Sequence, residues 1–162
     1  MKLYKCFNSG LINRYGMNFC LGKEYCANGP LKFGNDGNGF HACTYMEDTL
    51  RYFNSFTDKV DIAIINGYGK CLKYDDEYNG FYDMYVCERI LIKKVLSRKE
   101  IIDYGLKLSD FRLKRFLSLY GLSDLEKDLF YKKFIYNTDI LRYIDYYQNN
   151  NLYAFQKILK KD

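Results

Sequence analysis

The segment Gly39-Phe40-His41-Ala42-Cys43 holds the single histidine of this 162-residue chain and closes a glycine-rich turn, Gly34-Asn35-Asp36-Gly37-Asn38-Gly39. Glycines at that density allow positive φ and let the backbone approach another group closely. The physical expectation is a cleft. A lone imidazole there can orient a ligand or act as a base. On a strand, Cys43 points the same way as His41 because the two are separated by two positions. The same residues also fit a hydrogen-bonded core histidine beside a space-filling thiol. No nucleophile motif accompanies them: GxSxG, a Walker loop, HExxH and calcium-loop spacing are all missing from the sequence.

The six cysteines, at positions 6, 20, 26, 43, 71 and 87, all precede residue 97, and five of the six sit beside aromatic or aliphatic residues in strand-like surroundings. The chain has no CxxC pair and one histidine, so buried thiols are expected rather than a metal site. No apolar run reaches signal-peptide or membrane-span length, which leads to the expectation of a soluble, cytoplasmic protein without a membrane partner. At this length one main core, with at most a small satellite, is expected.

The elements around the candidate segment read as strands. Leu3 to Phe7 alternates and runs into the turn Asn8-Ser9-Gly10. Turn signals at Tyr15-Gly16, Leu21-Gly22 and Asn28-Gly29-Pro30 suggest short strands or an ordered loop. Phe40 to Cys43 is a second run, and Thr44 to Phe53 reads as a helix capped by Thr44 with Glu47 in a capping box. Val60 to Ile65 is a buried strand, extended past a bulge by Gly69 to Tyr74. Asp75-Asp76-Glu77 and Tyr78-Asn79-Gly80 form an exposed loop before a long central strand, Met84 to Leu96.

From Ser97 the hydrophobic period changes from 2 to 3.6. Ser109 opens a helix with Leu113, Phe116, Leu117 and Tyr120 inward, stopped at Gly121. The capping box Ser123-Asp124-Leu125-Glu126 leads a helix with Leu125, Leu129, Phe130 and Phe134 on one side. Thr138-Asp139 starts another through Leu141, Ile144 and Tyr147, broken at Asn149-Asn150-Asn151, and Leu152 to Lys160 gives a short terminal helix. The fold class is therefore α+β: a small mixed or antiparallel sheet head with one packed helix, residues 1–97, and an all-helical tail, residues 98–162. Of the formal net charge of +5, the stretch from Ser97 carries 13 Lys/Arg against 9 Asp/Glu. Arg112, Lys114, Arg115, Lys132 and Lys133, interleaved with tyrosines, are the candidate partner-binding residues.

Leu3-Tyr4-Lys5-Cys6-Phe7, the turn into Gly39-Phe40-His41-Ala42-Cys43, the helix from Met46 and the strand around Glu88 resemble a family of small uncharacterised phage and prophage proteins. The order of elements also resembles the split-sheet core of ADP-ribosyltransferases. That second resemblance implies NAD as cofactor. It places Lys5 where such enzymes hold the dinucleotide with a first-strand His or Arg, His41 near the nicotinamide motif, and Glu88 near the glutamate that polarises the ribose. Lys5 departs from the pattern, lacking both the planar fork of Arg and an imidazole.

Two functional expectations follow. The first is a phage- or mobile-element-encoded interaction protein without a cofactor, acting in the cytoplasm of a bacterial host. It binds and inhibits a host protein or ribonucleoprotein, such as a CRISPR effector, with nucleic-acid contact open through the basic tail. The second is an ADP-ribosyltransferase-like enzyme with His41 and Glu88 as catalytic candidates and Lys5, Gly39, Phe40, His41 and Cys43 as ligand-binding ones.

Overall fold

A computed structural model of the chain describes residues 1–34, 36–74 and 83–149. The expected acidic loop and the terminal helix from Leu152 lie outside the described residues. The chain divides into two compact units, Met1–Thr49 with Val60–Leu96, and Leu50–Lys59 with the chain from Ser97 onward. The fold is α+β, an antiparallel β head and a helical tail.

The head contains β1 (Lys2–Asn8), β2 (Glu24–Cys26), β3 (Phe40–Cys43), β4 (Val60–Lys73) and β5 (Met84–Val95), in the order β2-β5-β3-β1-β4. β4 also pairs with β5, so β5, β3, β1 and β4 close on themselves as a small barrel. Every pairing is antiparallel. Closure removes free edges that would otherwise recruit other strands, and it fixes an inside. Leu3 and Phe7 of β1, Ala42 of β3, Ala63 and Ile65 of β4 and Cys87, Ile90 and Ile92 of β5 fill it, with Leu11 and Phe19 from the connecting segment. The bulge expected after Asn66 is present, as a register shift between Tyr68 and Cys71.

The expected helix from Thr44 is shorter and tighter than its period suggested. It is a 3₁₀ helix, Glu47–Tyr52. The segment is too brief for the i→i+4 ladder to outweigh its nucleation cost.

The tail contains α1 (Arg98–Gly105), α2 (Asp110–Leu119), α3 (Asp124–Lys133) and α4 (Thr138–Asn149). Ser97 with Glu100 and Ser123 with Glu126 both form complete capping boxes, whereas the Ser109 side chain makes no cap bond. A Cβ on Gly105 would lie 2.6 Å from Phe116 Cε1, so the glycine lets α1 and α2 approach closely. Gln148 is the buried polar hinge of the unit. Its Nε2 donates to the Leu117 and Tyr120 carbonyls, and its Oε1 accepts from Leu122 N–H. Arg98 holds the same corner, with both Glu126 oxygens, the Tyr120 hydroxyl and the Gly121 carbonyl around its guanidinium.

One tail expectation fails. Leu125 and Leu129 do not face inward with Phe130; they are 81% and 48% exposed. The buried members of α3 are Lys127 and Phe130, the lysine satisfied by Asp124 and Asn149.

Candidate functional site

β3 carries the segment singled out by its histidine, and the strand's alternation divides that segment between two faces. Ala42 belongs to the barrel core and Phe40 packs against it. His41 pairs with Val86 and Cys43 with Met84, on the opposite face. His41 and Cys43 therefore do share a face, as expected from their spacing. Lys5 is not on it: between Leu3 and Phe7 on β1, it takes the core side.

Gly39 is required by its backbone. Its φ is +107°, and a Cβ there would come within 2.6 Å of Val86 Cγ2 and 2.8 Å of Leu31 Cδ2. Phe40 joins an aromatic cluster, with ring centroids 6.2 Å from Phe19 and 6.5 Å from Tyr25. The His41 ring meets Phe33 edge-on at 5.8 Å. It hydrogen-bonds the Gly39 backbone. Its Nε2 is buried without a partner among the described residues, so Nδ1 is the donor to Gly39. Burial, then the positive charge of Lys5, hold the imidazole below its ordinary pKa, with the Gly39 bond opposing them. The ring is a neutral base at pH 7 with an unsatisfied acceptor nitrogen.

Lys5 reaches the segment through the main chain: its Nζ donates to the His41 carbonyl at 2.8 Å. Burial lowers the amine to about 8, against the pull of the nearby Cys43, Cys6 and Cys87 thiols. Glu88 is committed elsewhere. Its Oε2 accepts from Lys70 N–H at 2.9 Å, and Gly69, at φ +71°, leaves the space the carboxylate occupies. The carboxylate thus caps the β4 bulge, while His41 holds to Gly39. Each of the two catalytic candidates has its own local backbone role.

The tail candidates are mostly engaged as well. Lys114 is ion-paired with Asp139 and lies 5.4 Å from the Tyr143 ring centroid. Lys133 donates to the Leu106 carbonyl. Arg112 and Arg115 are half-buried, Arg112 over the Phe111 ring at 5.8 Å. Lys132 is exposed in the last turn of α3, where a cation complements the helix dipole.

The tail also presents a surface the charge pattern did not indicate. Leu125, Leu129 and Lys132 recur at i, i+4 and i+7 along α3, one stripe of the helix. Beyond its end, Ile135 is 60% and Tyr136 97% exposed. The sequence signal was the alternative phase of the same helix, with Lys127 inward, a choice that hydrophobicity alone argues against. Among the described residues no group of His, Cys, Asp and Glu is arranged to hold a metal ion, and no helix is long and apolar enough to cross a membrane.

In comparisons with known proteins, residues 1–104 match the family model described as "Domain of unknown function (DUF7666)". No curated protein and no solved structure matches the chain.

Proposed function

The chain belongs to the DUF7666 family, and we propose that it acts by binding a macromolecular partner through its helical tail. The observation that carries this reading is the apolar stripe of α3 with Ile135 and Tyr136 beyond it. Contiguous large apolar side chains left in water mark interaction surfaces, and Tyr136 is of the aromatic type enriched at protein interfaces. The partner in this reading is a host protein or ribonucleoprotein in a bacterial cytoplasm, inhibited on binding. A phage or mobile-element origin, with a defence system such as a CRISPR effector as target, rests on the resemblance carried by the Gly39 to Cys43 signature.

The transferase reading draws less support from the geometry. Glu88 is occupied by the bulge N–H, and Lys5 points its amine at a carbonyl rather than outward. Direct nucleic-acid binding is similarly weakened, since Lys114 and Lys133 are already paired.

Capture from host lysate with the tagged protein tests the proposal. A stoichiometric partner is expected, retained by the wild type and lost by Leu125→Asp/Leu129→Asp. Recovery of no such partner, together with host defence left intact when the protein is expressed, would overturn it.

A further inference from the structure

Cys71 of β4 and Cys87 of β5 are direct partners in the antiparallel register, immediately beyond the β4 bulge. Their Sγ atoms lie 2.9 Å apart, within about 1 Å of the length of an S–S bond. Directly opposed cross-strand residues hold their Cβ atoms about 4.5 to 5.5 Å apart, next to the roughly 3.5 to 4.5 Å of a disulfide. Both side chains belong to the barrel interior or pack against it, which fixes their rotamers toward one another. Two of the other cysteines differ: Cys6 directs its thiol to the Phe7 carbonyl and Cys26 to the Ala27 carbonyl.

We infer that Cys71 and Cys87 are an oxidisable pair, joined by a two-electron oxidant of the peroxide class into a cross-strand disulfide that pins β4 to β5. The order of events follows from access. Cys71 is half-buried, whereas Cys87 is 0% exposed. Burial pushes the Cys87 thiol up to about 12, so it is not the sulfur that first meets the oxidant.

Cys71 loses its proton to solvent and its sulfur attacks one oxygen of hydrogen peroxide. The O–O bond breaks, and the departing hydroxide takes up a proton to leave as water, giving a sulfenic acid at Cys71. The Cys87 sulfur then attacks the sulfenic sulfur. The S–O bond breaks, and the hydroxyl leaves as a second water with the Cys87 proton. Two thiols have lost two electrons, and the peroxide has gained them. The bond closes a loop across a sequence separation of 16 residues, tying together strands that otherwise meet through a register shift.

The test uses the full-length protein, reduced, treated with hydrogen peroxide, blocked with iodoacetamide and digested for mass spectrometry. The expected product is a linked pair of peptides containing Cys71 and Cys87, lighter by two hydrogens and separated again by dithiothreitol. A Cys71→Ser variant should leave Cys87 as an unoxidised thiol under the same treatment. Over-oxidation of Cys71 to the sulfinic acid without linkage, or Cys87 bonded to any other cysteine, would overturn the inference.

Discussion

In the barrel head, the residues with the most chemical character serve its own backbone. Lys5 holds the His41 carbonyl, His41 holds Gly39, and Glu88 holds the bulge at Lys70. In the helical tail the strong polar groups behave in the same way, with Arg98 gathering Glu126, Tyr120 and Gly121, and Gln148 bridging Leu117, Tyr120 and Leu122. The two regions differ in where their exposed apolar groups sit. Both bury a core, Leu3, Phe7 and Ile65 in the head and Leu113, Phe116 and Ile144 in the tail, but the head's exposed Tyr15, Met17 and Leu21 lie in the segment between β1 and β2, whereas Leu125 and Leu129 are one turn apart on the regular helix α3. The polar residue types singled out in both regions serve the local backbone, and the exposed leucines of α3 are the surface on which the proposed partner binding rests.

The largest effect is expected where the head has no slack. Gly39→Ala forces a Cβ into Val86 and Leu31 at a positive φ and should cost more than about 2 kcal/mol, read as a lowered denaturant midpoint. An unchanged midpoint would show that the signature glycine is kept for something other than the fold. Gln148→Leu in the tail orphans the Leu122 N–H and two carbonyls inside the unit. It should cost about 2 kcal/mol, and a neutral result would break the parallel drawn between the regions.

A smaller effect depends on pH. Lys5 has a folded value of about 8 against an ordinary 10.5. Between those values the unfolded chain binds the extra proton, so the wild type gains stability as pH rises. From pH 7 to pH 9 its urea midpoint should therefore climb relative to that of Lys5→Met. Above pH 9 the Cys6 and Cys87 thiols, raised by burial, act in the opposite sense. Parallel behaviour of the two proteins from pH 7 to pH 9 would remove the buried-amine assignment. Smallest of all, Leu125→Asp/Leu129→Asp should shift stability by no more than about 1 kcal/mol, about 0.5 for each surface substitution, because both side chains already face water. A large loss would mean the stripe belongs to the core.

Much of the fold was legible because period and caps carry it. The alternation of Leu3 to Phe7, the β-branched run at Val60 and the capping box at Ser123 all lie where the strands and helices form. α1 was missed although Ser97 and Glu100 spell the same capping box; its short apolar pattern, Ile101 and Ile102, was overshadowed by the strand before it. What sequence could not convey is pairing. Barrel closure between β4 and β5, the opposition of Cys71 and Cys87, and the placement of Lys5 and His41 on different faces all depend on register between strands distant along the chain. The phase of α3 was misjudged for a related reason. Lys127 is buried because Asp124 and Asn149 receive its amine, and Asn149 lies on another helix.

The central claim is that the head's histidine and glutamate are structural and the tail's stripe is functional. One capture assay weighs both halves: partner recovery from host lysate by the wild type, by Glu88→Gln and by Leu125→Asp/Leu129→Asp, each first shown to be folded. The account predicts that the partner is retained by Glu88→Gln and lost by the tail variant. Retention by the tail variant with loss in Glu88→Gln would contradict it.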